Sequence, residues 1–354
     1  MKNYIKHYIS ILCAAIAFSY CSPVKTLYTS IDVLRPAEVV FPTDVNSLLL
    51  VNNSVPQPHG LGHTTSLIDG NIKNVTLNTD SLSLFVLSAL NEELENNGFF
   101  AKNSLLVNSI NTNGDFAIIA PIPAYQVQTL CNDHSADVAL SLNSLQVNDA
   151  LDMSIMQSQF GDFYGYSLGL YAVYDSWWTI QYPDNQKETQ LLHYQDTIYW
   201  ESEGDDSQKL LDNFPDRTDA LVDGALYVGQ KMLNRLIPYW EESDRYLFDL
   251  QQPLMQQGMN KVYQRDWTSA IPLWEEQLSK TSKKSQKALI QNNLAVAYEI
   301  SGDLDKALSS ITSAIDNYSS GLRSQKNLNA MLDYKETLLA RLKQQMLLKE
   351  QIGN

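Results

Sequence analysis

Leu294-Ala295, Tyr298, Gly302-Asp303, Ala307, Ile311 and Ala314 decide how the second half of the chain folds. A large–small pair, an aromatic, a turn glycine, then small and apolar residues a turn apart describe two helices folded back on each other. Small side chains let such a pair cross closely, and large ones fill the seam where the next pair docks. Upstream, Gly258, Ala270 and Trp274 hold equivalent places, and Asp266-Trp267 turns where Gly302-Asp303 turns later. The extra residues between the copies fall in Lys280–Ser285, where a loop absorbs them. In this register the first helix of each pair lines a concave side, presenting Met255, Met259 and Val262, then Asn292, Val296 and Glu299. These six are the expected partner-binding residues. Two stacked pairs need cover, and a helix over about Gln325–Lys349, with Leu328, Leu332 and Leu339, supplies it. Capping and partner binding are compatible roles for this segment.

Working outward, the chain has 354 residues, a net charge of −15 and a 44% hydrophobic share. At roughly 100–200 residues per domain this fits two domains with real cores. The acidic balance argues against nucleic acid, which needs a basic footprint. At the N-terminus, Lys2 and Lys6 precede an apolar run, Ile9–Phe18, that is too short to span a bilayer and has the form of a signal peptide. Its end, Phe18-Ser19-Tyr20-Cys21, resembles a bacterial lipoprotein signal, which implies acylation of Cys21 and a lipid anchor in the membrane. Tyr20 departs from the small residue usual there, and Ala17-Phe18-Ser19 offers a competing secretory cleavage site. Ser22-Pro23-Val24 carries no acidic export cluster, so an outer-membrane lipoprotein facing the periplasm is expected. With Cys21 acylated, Cys131 has no partner for a disulfide and reads as a small buried hydrophobe.

Between these ends, Val24–Val40 alternates as an edge strand bounded by Pro36 and Pro42. Val45–Val51 is a buried strand, and Asn52 to about Asn78 is a long polar loop. Asp80 caps a helix bearing Leu84, Leu87, Leu90 and Leu94, which stops at Gly98. Phe116–Ile119 reads as a buried strand, Tyr125–Cys131 as a short helix and Val138–Val147 as an alternating strand. Tyr164–Tyr182 and Leu191–Trp200 form a hairpin turning at Pro183-Asp184-Asn185. After an acidic loop, Glu201–Asp206, a helix runs from about Asp216 to Leu236, and Glu241–Arg245 makes a hinge. One mixed sheet with helices packed on it hides every apolar face.

Several constellations invite chemistry. Gly165-Tyr166-Ser167-Leu168-Gly169 fits the nucleophile elbow, but that turn needs a helix after the serine, and Leu170–Tyr182 reads as strand. Glycines within a strand mark a bulge or a close approach. His59 and His63 stand four apart, a chelating spacing on a helix, which Gly60 and Gly62 oppose. Asp133-His134-Ser135 are sequence neighbours and cannot adopt triad geometry. Glu201, Glu203, Asp205 and Asp206 match no calcium loop. Trp177 and Trp178 point to opposite strand faces, one inward and one outward. No catalytic residue, metal site or cofactor is expected.

The mature chain resembles an uncharacterised family of Bacteroidota-type lipoproteins, a domain of unknown function with a C-terminal tetratricopeptide-like segment. The residues that carry the likeness are Leu34-Arg35-Pro36-Ala37, Ala136-Asp137, Trp177 with Tyr182-Pro183, and Pro238-Tyr239-Trp240. The resemblance implies an architecture and an envelope location, and it brings no activity. The sheet order is also similar, in topology alone, to periplasmic domains of curli-secretion and related assembly lipoproteins. The expected fold is an α+β N-terminal domain, a mixed sheet with packed helices, followed by an all-α tetratricopeptide-like helical-hairpin domain. Its divisions are a signal peptide at 1–20, the sheet domain at 21–240 and the helical repeats with a capping helix at 241–354. The expected role is a non-enzymatic adaptor that holds a protein partner. A glycan-binding lipoprotein of a nutrient-uptake system and a serine hydrolase using Ser167 are the alternatives.

Overall fold

The computed structural model describes residues 25–352 except 69, 112–113, 158, 160, 185–186 and 320–324. The signal segment and Cys21 lie outside the described residues. Contacts divide the chain into two units: Ala37–Pro238, and a second that joins the segment ending at Pro36 to Tyr239–Ile352.

The first unit is a mixed sheet with helices on it. Strand β2 (Ser47–Asn52) is apolar and buried from Leu48 to Val51, as a strand covered on both faces must be. It runs parallel to β5 (Lys102–Leu106) on one side and to the start of β6 (Val138–Gln157) on the other. β6 is 20 residues long. Past β2, the same edge of β6 takes β3 (His63–Ser66) in parallel, and β4 (Ile72–Asn74) closes that side. The opposite edge of β6 pairs antiparallel with β7 (Phe163–Gln181), which pairs with β8 (Gln190–Gly204). Helix α1 (Leu82–Asn97) ends at Gly98 in the left-handed conformation. It packs one sheet face together with α4 (Arg217–Leu236), whose N-cap Asp216 accepts from the amides of Thr218 and Asp219. The two helices approach so closely at Gly229 that a Cβ there would meet Val86 O at 2.2 Å. Helix α2 (Ala124–His134) covers part of the other face, where Val127 and Cys131 meet Leu49 and Val51. The short α3 (Ser207–Asn213) follows β8.

The second unit begins with a surprise of pairing. β1 (Lys25–Arg35) and β9 (Tyr239–Asp249) form an antiparallel ribbon, each residue of one paired along the other from Lys25–Asp249 to Arg35–Tyr239. Two helical hairpins follow, α5 (Pro253–Tyr263) with α6 (Trp267–Lys280) and α7 (Lys284–Ile300) with α8 (Leu304–Ser319). The long α9 (Gln325–Ile352) packs on α8. Gly258 lets Trp274 sit fully buried against α5, with its indole N–H on Met255 O. Gly302, at φ +84°, turns the second hairpin. Ala270, Leu294, Ala295, Ala307, Ile311 and Ala314 are all buried, as the spacing required.

The fold class read from sequence therefore stands, and six local readings change. The strand expected within Val24–Val40 is β1, an edge as read, but of the ribbon with β9 and not of the large sheet. Glu241–Arg245 is strand and not hinge, for the same reason. The boundary at 240/241 moves, since β1 and β9 belong with the helices. Phe116–Ile119 forms a turn with Ile118 exposed. The Asn52–Asn78 loop contains β3 and β4, and β8 extends through Gly204 into the acidic segment.

Candidate functional site

All six residues expected to line an open repeat groove are buried: Met255, Met259, Val262, Asn292, Val296 and Glu299. They lie on helix faces turned inward, and the chain's own ribbon bonds to that side of α7. Asn292 Nδ2 donates to Tyr246 O at 2.9 Å. Its neighbour Asn293 behaves like one residue of a third strand, accepting from Phe248 N–H at 2.8 Å and donating to Phe248 O at 2.9 Å. Glu299 receives Arg245 Nε and Nη2 from β9, each at 2.7 Å, and the Tyr334 hydroxyl from α9 at 2.7 Å. Arg341 adds a further donor from α9. Burial pushes the Glu299 carboxyl up, but Arg245, Tyr334 and Arg341 outweigh it and hold it below the usual carboxylate range. Burial, with the charge of Glu299 beside it, raises the Tyr334 phenol.

The ribbon leaves a cleft beside it. A cavity of about 830 Å³ runs between β1, β9 and the helices, and Met259, Val262 and Glu299 are in its walls. Leu27, Leu247 and Ile300 add apolar wall, and Trp240 and Tyr263 stand at its rim 69% and 67% exposed. Arg265 and Arg341 face Asp32 and Glu242 around it, so the lining is apolar with charge of both signs. A volume within the ~300–1,000 Å³ of ordinary binding clefts, edged by Trp and Tyr, suits a peptide segment with apolar anchors. Met255, Asn292 and Val296 take no part in this cavity. Asn292 instead lines a second one, of about 540 Å³, between Tyr28, Tyr246 and α9.

In the sheet unit, Ser167 lies inside β7, opposite Ser154 on β6 and Glu203 on β8. Strand continues on both sides, so the elbow is missing. Gly165 instead allows a close approach, since a Cβ there would lie 2.8 Å from Gly204 O. His193 pairs with Trp177, ten residues from Ser167 along the ladder, which is ~33 Å at strand rise. It stacks on the Trp177 ring at 4.2 Å and binds Asp175 at 3.0 Å. Trp178 is fully buried. His134 ends α2, and Asp206 caps α3. Burial, helped by Asp137, pushes the Cys131 thiol up to about 11, which suits an inert buried residue.

His59 and His63 do not converge. His59 meets Asp80 at 3.0 Å, while His63 is buried on β3 against Asp149, whose other oxygen takes Arg217 Nε at 2.6 Å. Arg217 also holds Thr65 Oγ1 and Thr64 O, tying α4 to β3. One usable sign of this cluster lies in the sequence: Asp149 continues the inward series Leu145, Val147 on β6. Among the described residues no group of three or more His, Cys, Asp or Glu is placed to hold a metal, and no helix is long and apolar enough to cross a membrane.

Residues 45–248, more than half of the chain, match the family described as Domain of unknown function (DUF8603). The chain belongs to that family. Residues 256–340 match a second, Domain of unknown function (DUF6340), so the two families divide the chain close to the start of α5. No curated protein matches. Among solved structures, one of an uncharacterized protein is 12% identical, covering 53% of this chain and 91% of its own, at a TM-score of 0.24. Another, the rare lipoprotein B from Shewanella oneidensis, is 12% identical over 48% of this chain and 92% of its own, at 0.18. Likeness at those scores defines neither fold nor role.

Proposed function

We propose that this DUF8603 protein is an envelope lipoprotein, anchored through acylated Cys21, that holds a protein partner in the cleft beside its ribbon. The observation that carries the reading is the cleft itself, about 830 Å³ with a lining part apolar and part charged and the exposed Trp240 and Tyr263 at its rim. Large apolar side chains left in water at a concave surface are the usual anchors of recognition. The signal-like N-terminus and Cys21 support the anchor and the periplasm-facing outer-membrane placement. The adaptor performs no chemistry in this reading, and it needs no cofactor or nucleic acid.

The test is a photo-crosslinking residue placed at Tyr263 in the full chain, irradiated in intact cells. A discrete protein adduct that disappears when Trp240→Ala is added supports the proposal. Adducts with no protein, or an adduct indifferent to Trp240→Ala, count against it. Cys21→Ala should move the chain from the membrane to the soluble fraction, and a chain still membrane-bound would refute the anchor.

A further inference from the structure

The cleft beside the ribbon has the open edge of β1 as one wall. Phe248 N–H and C=O both turn to Asn293, and Tyr246 O turns to Asn292, so the even-numbered residues of β9 point their backbone groups at α7. In an antiparallel ladder the odd-numbered ones then bond to β1, where Leu27, Thr29 and Ile31 lie opposite Leu247, Arg245 and Ser243. The N–H and C=O groups of Tyr28, Ser30 and Asp32 are left pointing the other way, and they find no backbone partner among the described residues. Leu27 to Asp32 line the cleft without a gap. Side chains alternate between the two faces of a strand, so a space touched by every successive residue runs along the edge itself. Across it stand Met259, Val262 and Trp267 from α5 and α6.

We propose, resting on the reading of this cleft as a protein-binding site, that the partner adds an extended segment to β1 as a third strand. That segment carries basic side chains on alternate residues and apolar ones between. Backbone donors and acceptors that alternate along a walled slot are matched by the same alternation in another strand. The charge of the ribbon decides the side chains. Asp32 lies opposite Glu242, Asp244 follows on the same face, and no lysine or arginine stands on that face of either strand. Like charges directly opposite each other destabilise a ladder. The arginines of the other face are taken up, Arg35 by Glu241 and Arg245 by Glu299. Arg341 is bound to Glu299, and neither Arg265 at the cleft nor Lys326 near Asp244 ion-pairs with the three carboxylates. A lysine or arginine beside Asp32 on the added strand reaches Glu242 as well. The residues between turn to the helix side, where Met259 and Val262 accept apolar groups and Arg265 repels a base. A second copy of β1 has no basic residue on that face to offer.

The probes are fluorescently labelled peptides of about eight residues, the length of Leu27–Leu34, alternating lysine or glutamate with valine. Each is titrated into the full chain and followed by anisotropy. The lysine peptide should bind about tenfold tighter than the glutamate peptide, and Asp32→Lys should reverse that order. Methylating one alternate set of its amide nitrogens should abolish binding and methylating the other should spare it, because only every second N–H meets β1. Ser30→Pro deletes an N–H that faces the cleft, spares the ladder with β9 and changes no charge. It should weaken the lysine peptide about tenfold, with folding checked by circular dichroism. Binding indifferent to the methylated set, or to Ser30→Pro, would be attraction of a polycation to an acidic surface and overturns the strand addition. So does a lysine peptide that binds no better than the glutamate one, or a parent chain that sediments as a dimer dissociated by Ser30→Pro. A Trp240-dependent Tyr263 adduct found alongside such a result leaves the protein-binding cleft standing and removes the added strand alone. A missing adduct removes the cleft reading itself.

Discussion

Arg245 lays both Nε and Nη2 on the Glu299 carboxylate at 2.7 Å, joining β9 to a helix 54 residues further on. Both side chains are nearly excluded from water, at 5% and 0% exposure. A carboxylate taken out of water is tolerable only when its lone pairs are filled, and here two arginines and a tyrosine fill them. Glu299→Ala strands Arg245 and should cost about 3–5 kcal/mol. Urea unfolding followed by tryptophan fluorescence of the helical unit measures it. Replacing both partners by apolar residues, Arg245→Met with Glu299→Leu, should recover much of that loss, because an apolar pair leaves no unpaired charge on β9.

The same cluster sets an acid limit. The folded carboxyl of Glu299 sits below its ordinary value. Its contribution is therefore complete above the unfolded value of about 4.3 and is lost as pH falls through the lower folded value. Urea midpoints followed from about pH 7 to about pH 3 should fall, and Glu299→Gln should flatten that dependence. An equally steep fall in Glu299→Gln would assign the acid sensitivity elsewhere.

Asn293 serves both backbone groups of Phe248 from a fully buried position. Asn293→Ala leaves a donor and an acceptor unsatisfied, at about 1–3 kcal/mol for each buried group. Asn293→Asp, of the same size, retains the acceptor and should still destabilise. Equal stability of Asn293→Asp and the parent would show that the amide donor contributes nothing.

In the sheet unit, Gly229→Ala drives a Cβ against Val86 O, where backbone and not a flexible side chain must yield. A loss of about 1–3 kcal/mol or more is expected in thermal or urea unfolding. Ser167→Ala, by contrast, should stay within about 0.5 kcal/mol of the parent and leave any envelope phenotype intact. Loss of that phenotype in folded Ser167→Ala would revive the hydrolase reading.

What the sequence disclosed follows from the range of the interactions involved. The helix stop at Gly98, the helix start near Asp216, the β7–β8 hairpin and the helical hairpin marked by Gly258 and Trp274 are all set by nearby residues, and all were legible. The cap expected at Asp80 is not formed: α1 begins after Ser81 with no side-chain cap bond, and Asp80 turns instead to His59. The β1–β9 pairing was not, because alternation marks a strand without naming its partner, and these partners lie more than two hundred residues apart. That gap misled the site reading. Periodicity put Met255, Asn292 and Glu299 on the correct helix face but could not say that the chain itself fills it. Phe116–Ile119 failed differently: four apolar residues between glycine and proline suffice for a turn. His63 sits on a strand of 4 residues inside a polar stretch, too short for a pattern to register.

The ribbon's seat in the helical hairpins is tested most directly by amide hydrogen exchange along β9. With Asn292, Asn293 and Glu299 all gripping Tyr239–Asp249, the Phe248 amide should exchange only with unfolding of the helical unit, as slowly as the core of α7, and Glu299→Gln should speed both together. Rapid exchange at Phe248 while α7 stays protected would mean that the ribbon leaves its seat, and that the concave side is open to a partner after all.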